Sequence, residues 1–314
     1  MTRGTSVTVC ICTYRRPHLL RRVLSALDRQ RRTGRFSYSV VVADNDDQGS
    51  ARHVVAQFSA TSSVAVTYCV ERERNIALAR NRALMHAGGD FIAFIDDDEF
   101  PTEDWIATML HALETFDADG VHGPARPFFE APPPAWLVRS KLCERSRYPT
   151  GTQLDWRQIR TSNVLFRRRI LDGVDTPFRR EFGNGGEDQD FFRRMMQRGH
   201  RFVWCDEAAV DEIVPRERMW RRYFLARALR RGQYDRGFLN ATSIVKSVVA
   251  VPAYAALIPL TLVLGQHALM KCCVRLLDHV GRLLGAMGIE PAPGKYLGAS
   301  IGLPSLRSTA KPSQ

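Results

Sequence analysis

Lysine is scarce in this chain, since only five of its 45 basic residues are lysines and the remainder are arginines. The formal net charge is +12. The planar guanidinium group of arginine makes bidentate contacts with phosphate. A positive excess of this kind is compatible with nucleic acid, an anionic membrane surface or phosphorylated small molecules, and charge alone does not choose among the three.

The seven cysteines include no Cys-x-x-Cys pair, and their number is odd. A disulfide framework or a structural zinc site is therefore not expected. Several cysteines lie in apolar, strand-like runs, where a free cysteine behaves as a small hydrophobic residue. This usage favours a reducing, cytosolic compartment. The N-terminal segment also lacks a long apolar run, so we expect no secretory signal.

Strand-like and helix-like segments alternate in the first third of the chain. Apolar runs predict strands at 7–11, 38–43, 64–70 and 91–95, and helical spacing predicts helices at 17–31, 51–58 and 75–87. A further helix is expected at 102–116, with Thr102 as its N-cap. This alternation predicts an α/β fold with a mostly parallel sheet and helices on both faces.

Polar or charged residues follow each of the four predicted strands. These groups are 13–16, 44–47, 71–74 and 96–99. In open α/β sheets, ligands bind outside the carboxyl ends of the strands. We therefore expect all four groups to converge on one edge of the sheet and to form a ligand site there.

The fourth group, Asp96-Asp97-Asp98-Glu99, is called the acidic loop. Carboxylates that follow a buried strand suit a hard divalent cation, Mg²⁺ or Mn²⁺. Along an extended chain, Asp96 and Asp98 project the same way and Asp97 the opposite way. We expect Asp98 to bind the metal and Asp96 to contact a ribose or a metal-bound water. The alternative is an acidic flank of the helix near Thr102, and the other strand ends favour the ligand interpretation.

A second candidate lies in the segment GNGGED, at 183–188. Gly185 and Gly186 allow the backbone to approach a ligand closely. Asp188 lies in the first turn of a predicted helix, where the helix dipole favours its ionised form. An ionised carboxylate in a cleft can act as a general base toward a hydroxyl group. Helix capping is the competing interpretation.

Two arginine-containing segments provide weaker candidates. Arg80 and Asn81, in the predicted helix 75–87, could contact phosphate and sugar. The segment 216–231 carries seven arginines together with Trp220 and Tyr223, and it could contact a diphosphate or anionic lipid headgroups. A solvated helix face explains most of these arginines, and Arg222 or Arg221 is best placed for a specific role.

The C-terminal region begins with an uncharged run. No Asp, Glu, Lys or Arg occurs at 247–270, which reaches the length of a membrane span, although Pro252 and Pro259 interrupt it. The following segment, 269–287, is amphipathic, and its apolar face comprises Leu269, Cys273, Leu276, Leu277, Val280, Leu283, Leu284 and Met287. We expect membrane contact, either spanning or dipping. A pair of helices packed on a soluble domain is the alternative.

The segments VCICTYRRP, VVADN, RNIALARNRAL, FIDDDEFP and GGEDQDFFRR occur in the order and spacing of family 2 glycosyltransferases. Over residues 8–232 the chain resembles this family of inverting enzymes with the GT-A fold. The resemblance implies a Rossmann-like nucleotide-diphospho-sugar transferase with a mixed, mostly parallel sheet. The expected domains are a catalytic domain at 1–240, a helical membrane-associating hairpin at 241–290 and a flexible tail at 291–314.

The resemblance also implies roles for individual residues. The nucleotide-sugar residues would be Thr13, Tyr14, Arg15, Asp44, Asn75, Arg80, Asp96 and Asp97, with Asp44 facing the base and Arg80 near the diphosphate. Asp98 would bind the metal and Asp188 would deprotonate the acceptor. Glu187, Trp136 and Arg222 are weaker candidates for acceptor or phosphate contact, Trp136 because it lies in the proline-rich flap at 132–142.

The chain departs from the family pattern at two places. Many relatives supply a late histidine to the metal, where this chain has Asp211 and Glu212. Ala77 replaces a glycine that many relatives carry.

The implied function is transfer of a sugar from a nucleotide sugar, expected to contain UDP, to a hydroxyl of a glycan or lipid-linked glycan in surface polysaccharide synthesis. Mg²⁺ or Mn²⁺ is the expected cofactor. The expected location is the cytoplasmic face of the inner membrane, and no nucleic acid partner is expected. One alternative is a polyprenyl-phosphate sugar transferase, although a phosphate acceptor needs little help from a base such as Asp188. The other is a non-enzymatic basic protein that binds membrane or RNA.

Overall fold

The computed structural model describes residues 4–31, 34, 36–183, 185–234 and 241–289. The chain divides into two compact units, one formed by residues 1–132 with 143–214 and the other by residues 133–142 with those from 215 onward. This division lies before residue 240, where the sequence places the end of the catalytic domain, so the domain boundaries stay a prediction. The expected flexible tail, 291–314, lies outside the described residues.

Ten strands are found among the described residues, all in the first unit. They are β1 (Thr5–Thr13), β2 (Phe36–Asp44), β3 (Val66–Val70), β4 (Phe91–Phe94), β5 (Glu99–Pro101), β6 (Gly120–His122), β7 (Ala125–Phe128), β8 (Val164–Arg167), β9 (Phe202–Trp204) and β10 (Val210–Ile213). Seven form a sheet in the order β3-β2-β1-β4-β8-β6-β9, and β5-β10-β7 form a smaller sheet. The first four strands of the large sheet are parallel, whereas β8 is antiparallel to both its neighbours. The predicted mixed, mostly parallel sheet is therefore confirmed.

The helices of the first unit cover both faces of the large sheet. They are α1 (Pro17–Asp28), α2 (Arg52–Thr61), α3 (Ile76–His86), α4 (Trp105–Thr115) and α6 (Glu187–Gln197). Successive side chains of a strand point to opposite faces, and Val9 of β1 accordingly packs in the core with α1, α2 and α4. Its neighbour Cys10 packs in a second core with α3 and α6. The helices that carry Arg80 and Asp188 thus share one face of the sheet.

Two local predictions need correction. The fourth helix begins at Trp105 with Asp104 as N-cap, not with Thr102. The reason is that β5 pairs with β10 up to Pro101, which keeps the chain extended before the turn into the helix. The stretch 126–142, which includes the proline-rich flap and was predicted to be a loop or flap, contains most of β7 and the short helix α5 (Ala135–Ser140). β7 forms because β10 supplies its hydrogen-bonding partner.

The second unit contains α5 together with α7 (Arg221–Tyr234), α8 (Ala241–Leu264) and α9 (Gln266–Ala286). Within the described ranges, α8 is the one helix long and apolar enough to cross a membrane, with a mean hydropathy of 2.1 and 6% of its most apolar window buried. Pro252 and Pro259 lie inside this helix and do not end it.

The buried side of α9 differs from its predicted apolar face. Its buried residues are Met270, Cys272, Val274, Gly281 and Gly285, whereas the residues of the predicted face are only partly buried or exposed. The cause is a close approach to α7, because a Cβ at Gly281 would lie 2.1 Å from the carbonyl oxygen of Leu229. Hydrophobic periodicity does not predict a close helix contact that forms because glycine has no side chain.

Candidate active site

The carboxyl ends of the first three strands meet at one edge of the large sheet. Thr13 at the end of β1 lies opposite Asp44 at the end of β2, and Asp44 lies opposite Val70 of β3. Two backbone hydrogen bonds, each 2.8 Å long, join these strand ends. Asn45 N donates to the Thr13 carbonyl, and Glu71 N donates to the Asp44 carbonyl. The strand-end groups therefore converge as the sequence predicts.

The acidic loop is bonded to the end of β1. The Thr13 hydroxyl donates to Asp97 Oδ2 over 2.7 Å. The Arg16 guanidinium lies 2.5 Å from Asp97 Oδ1 and 3.0 Å from Asp98 Oδ2. Asp97 and Asp98 thus share one cation, and the expectation that Asp97 points away from the other carboxylates was wrong. The loop is a turn, closed by Glu99 N donating to the Asp96 carbonyl, so the alternation of an extended strand does not apply.

Burial and mutual repulsion raise the pKa values of this loop. Burial raises the pKa of Asp97 to about 7, against the opposing effect of Arg16. Burial and then the charge of Asp98 raise the pKa of Asp96. Burial and then Asp96 raise that of Glu99, whose Oε1 is buried without a hydrogen-bond partner among the described residues. A positive charge placed beside these carboxylates would lower all three pKa values.

The donor chemistry of the loop fits a hard divalent cation, because Mg²⁺ and Mn²⁺ prefer carboxylate oxygens. Among the described residues, however, no three His, Cys, Asp or Glu side chains are grouped closely enough to hold an ion. Glu212, one candidate for the third ligand, lies opposite Glu99 in the β10–β5 pair. Its carboxylate is 2.5 Å from Arg145 Nη2.

Arg145 is a site residue that the sequence analysis missed. Besides its ion pair with Glu212, its Nη1 donates to the Ser162 hydroxyl over 3.1 Å. The charges of Glu212, Glu99 and Asp96 raise its pKa although burial acts to lower it. No motif marks Arg145, because its partners come from distant segments of the chain.

Asp44 organises the turn that follows β2. Its carboxylate accepts hydrogen bonds from Ala51 N at 2.7 Å, from the Tyr68 hydroxyl at 2.9 Å and from Asp46 N at 3.2 Å. Its side chain is fully buried, and burial raises its pKa. These contacts hold the turn after β2, while the implied contact of Asp44 with a nucleotide base stays a prediction.

Two guanidinium groups lie near the ring of Tyr14. The Cζ atoms of Arg15 and Arg74 are 5.2 Å and 4.7 Å from the centre of its ring. Arg15 adopts a left-handed backbone conformation, with φ of 53°, and pairs with Asp46 over 3.1 Å. An aromatic ring flanked by cations suits a nucleotide, which has both a planar base and a negative diphosphate. Arg74 is thus a second residue that the sequence analysis did not single out.

Asn75 joins α3 to the segment that precedes α6. Its Oδ1 accepts from Leu78 N at 3.2 Å and so caps α3, while its Nδ2 donates to the Arg180 carbonyl at 3.0 Å. A Cβ at Gly183 would lie 2.1 Å from this Nδ2 atom. The first glycine of the GNGGED segment is therefore required by packing. The side chain of Asn75 has a structural use, and its implied sugar contact stays a prediction.

The GNGGED segment leads directly into α6. Gly185 and Gly186 have φ values of 133° and 91°, which favour glycine. Asp188 lies in the first turn, where its Oδ2 is 3.8 Å from Arg160 Nε. Its neighbour Glu187 forms a buried ion pair with Arg80 of α3. The structure therefore pairs Arg80 with Glu187, beside the candidate base.

Trp136 and Arg222 lie in the second unit, in a shallow groove of about 650 Å³. It is lined by Pro134, Trp136, Met219, Trp220, Arg221 and Arg222. The Arg221 Cζ atom is 5.7 Å from the centre of the Trp136 ring, and the Arg222 Cζ atom is 4.1 Å from that of Trp220. The groove combines apolar surface with two cations, which suits an amphiphilic anion.

Comparison with known proteins identifies the class of enzyme. The family described as Glycosyl transferase family 2 matches residues 8–174. The chain is 34% identical over 228 residues to the succinoglycan biosynthesis protein ExoM of Rhizobium meliloti (strain 1021), which covers 72% of this chain and 73% of that protein. The chain therefore belongs to glycosyl transferase family 2 and is a glycosyltransferase.

Two solved structures share the fold of this chain. The mannosyltransferase PcManGT from Pyrobaculum calidifontis, in complex with GDP-Man and Mn²⁺, has a TM-score of 0.56 and 18% identity, and the match covers 93% of this chain and 78% of that one. S. aureus TarS 1–349, in complex with UDP-GlcNAc, has a TM-score of 0.54 and 15% identity over 92% of this chain and 93% of that one. At these identities the likeness concerns the fold, and the predicted GT-A fold is confirmed.

Proposed function

We propose that the protein is an inverting transferase that moves a sugar from a uridine nucleotide to a hydroxyl of a glycan or lipid-linked glycan in surface polysaccharide synthesis. The observation that carries this proposal is the family match over residues 8–174. This range includes Thr13, Asp44 and the acidic loop, which meet at one edge of the sheet. Similarity to a succinoglycan biosynthesis protein supports the pathway class. The UDP-GlcNAc complex of the TarS neighbour supports a uridine donor.

Asp188 is the proposed general base. It would take the proton of the acceptor hydroxyl, whose oxygen then attacks the anomeric carbon of the donor sugar. The bond from that carbon to the diphosphate oxygen breaks, and the nucleoside diphosphate leaves with the electron pair. Attack occurs on the face opposite the leaving group, so the anomeric configuration is inverted. We expect Tyr14, Arg15 and Arg74 to contact the nucleotide, because they combine an aromatic ring with two cations.

Asp96 and Asp98 are the carboxylates proposed to hold Mg²⁺ or Mn²⁺, which when bound would offset charge on the leaving diphosphate. Burial and, after it, the charge of a neighbouring carboxylate raise the pKa values of Asp96 and Glu99. These raised values support the proposal, because a bound cation would offset the negative charge. The Mn²⁺ complex of the PcManGT neighbour also supports it. Among the described residues, the charge of Arg16 acts to lower the pKa of Asp97, and the charges of Arg80 and Arg145 act to lower that of Asp96.

A donor assay tests the proposal directly. We expect the purified protein to release UDP slowly from a UDP-sugar in the presence of Mn²⁺, and to stop when EDTA removes the metal. A parallel series with GDP-sugars is the control for the identity of the nucleotide base. Polyprenyl phosphate and an oligosaccharide are compared as acceptors. Release from GDP-sugars alone would contradict the uridine assignment. Metal-insensitive binding to RNA at physiological salt, with no release from any donor, would favour the non-enzymatic alternative.

Membrane contact at the cytoplasmic face is proposed for α8. Its large apolar side chains are exposed, with Leu260 57% and Val263 85% accessible. Arg221, in the Trp-lined groove, donates to Gln266, two residues beyond the end of α8. An apolar helix end beside tryptophan and arginine is typical of a membrane interface, where indole rings and cations meet lipid headgroups.

Replacing Leu260 and Val263 by glutamine should weaken binding to anionic lipid vesicles more than tenfold. Each apolar side chain contributes about 1.5–3 kcal/mol when it leaves water. Vesicle flotation measures the effect. Met85→Gln, which alters a 74% exposed apolar side chain of the first unit, is the control and should float like the wild type. Equal flotation of all the variants would show that α8 is not the contact.

A further inference from the structure

The local chain does little to fix the direction of the proposed base. Gly186 is the N-cap of α6, and within the described residues no side chain caps it. The preceding Gly185 also has a positive φ, and glycine restricts the backbone least. Three carboxylates, those of Glu187, Asp188 and Asp190, share the first turn. Glu187 and Asp190 are three residues apart, a spacing at which like charges on a helix repel one another.

Asp188 has weak side-chain anchors of its own. Its Oδ2 atom is 3.8 Å from Nε of Arg160, whose side chain is 39% exposed. Ion pairs with exposed partners contribute little to conformational preference. Its Oδ1 atom accepts from the N–H of the adjacent residue, Gln189, over 2.7 Å. The orientation of Asp188 therefore depends on how the first turn of α6 is held as a whole.

The ion pair between Arg80 and Glu187 holds that turn. Arg80 Nη1 donates to Glu187 Oε1, and their side chains are only 10% and 6% exposed. The Arg80 Cζ atom also lies 5.7 Å from the centre of the Phe178 ring. A buried charge pair in a low-dielectric setting is hard to break, because each partner would be left unpaired.

The side of α3 that carries Arg80 is itself fixed. Asn81 Nδ2 donates to the Phe178 carbonyl at 2.7 Å, and Phe178 N donates to Asn81 Oδ1 at 3.0 Å. At the start of α3, Ile76 N donates to the Gly183 carbonyl at 3.3 Å. α3 is thus bonded both to the segment before α6 and, through Arg80, to the first turn of α6.

We propose that Arg80 is a positioning residue for the proposed base: acting through Glu187, it holds the first turn of α6 so that Asp188 faces the acceptor. This inference rests on the proposed function, in which Asp188 deprotonates the acceptor. It differs from the diphosphate contact that the family resemblance implies for Arg80, because the guanidinium is committed to a carboxylate.

The double variant Arg80→Met/Glu187→Gln tests the proposal. It removes both charges together, so neither is left buried alone, and the fold should be retained. With UDP-glucose and Mn²⁺, kcat for UDP release should fall about 100-fold, as expected for a misplaced catalytic group. KM and the Kd for UDP should stay at wild-type values. A merely structural role would lower the melting temperature while leaving kcat per UDP-binding site unchanged.

The control is Asp206→Asn/Arg147→Met, which removes an ion pair of the first unit outside α6, 2.5 Å long in the structure. It should retain the wild-type kcat. Two results would overturn the proposal. Weaker UDP binding with unchanged kcat in the Arg80 double variant would make Arg80 a diphosphate ligand, and wild-type values throughout would deny it any role.

Hydrogen exchange of the amides at 186–192 provides a readout that needs no substrate. Exchange should be faster in the Arg80 double variant than in the wild type and unchanged in the control. Equal amide protection in the Arg80 double variant and the wild type would refute the positioning role, even if no donor were turned over. Failure of the proposed function is a different result, in which the wild-type protein releases no UDP. If the double variant fails to fold, Glu187→Asp is the substitute test. It keeps both charges and shortens one side chain, so it should give an intermediate loss of kcat and of protection.

Discussion

Asp188→Asn is expected to lower sugar transfer by about 10²–10⁴-fold, the usual contribution of a general base, while nucleotide binding is retained. Asparagine has nearly the same shape as aspartate but cannot take the acceptor proton. The side chain is 15% exposed, and its one described cation, Arg160, is 3.8 Å away, so the exchange breaks no strong contact. Transfer kinetics and calorimetric UDP binding on the same preparation measure the two effects.

Asp175→Asn is the matched control for this variant, since it makes the same chemical change at an exposed position of the same unit. Normal transfer by Asp188→Asn would show that another group takes the proton. Loss of UDP binding together with transfer would place Asp188 in the donor site instead. Retained UDP binding with lost transfer is the result that the position of Asp188 at the start of α6 predicts.

Arg16→Met should have the largest effect on stability. Arg16 is the shared partner of Asp97 and Asp98, whose side chains are 0% and 8% exposed. Removing one partner of a buried ion pair leaves uncompensated charge and costs about 3–5 kcal/mol. Donor binding should also be lost, because Asp97 connects the acidic loop to Thr13 at the end of β1.

Arg15→Met is the control for Arg16, because it removes the neighbouring arginine and the same charge. Arg15 is 57% exposed, and its ion pair with Asp46 is one that solvent screens. Urea unfolding should therefore show a large loss of stability for Arg16→Met and little change for Arg15→Met. Similar unfolding curves for both would mean that Arg16 does not neutralise the acidic loop.

Much of the fold follows from the sequence because its signals are local. The apolar runs that become β1, β2 and β4 are bounded by polar residues, and the intervening helices have regular apolar spacing. Such a pattern requires parallel strands, and parallel strands bring their carboxyl ends to one edge. Thr13, Asp44 and the acidic loop can therefore be assigned to one site from the sequence alone.

The local geometry of the acidic loop could not be obtained in this way. Alternation along an extended chain separated Asp97 from its neighbours, whereas the turn closed by Glu99 N brings Asp97 and Asp98 to one guanidinium. Thr102 has a residue type favoured at N-caps, but pairing of β5 with β10 displaces the helix start to Trp105. In both cases a tertiary contact overrides a local preference.

The sequence by itself determined which residue types stand at the ends of the strands and at the start of α6, and hence the kind of chemistry that this protein can perform. Only the tertiary structure decided which charges meet. Arg16 reaches Asp98 across 82 positions, Arg145 reaches Glu212 across 67, and Arg80 reaches Glu187 across 107. Hydrophobic periodicity indicates which face of a segment is buried, and it does not predict which distant residue that face will contact. Ion pairs between packed elements are therefore decided when the helices and strands come together.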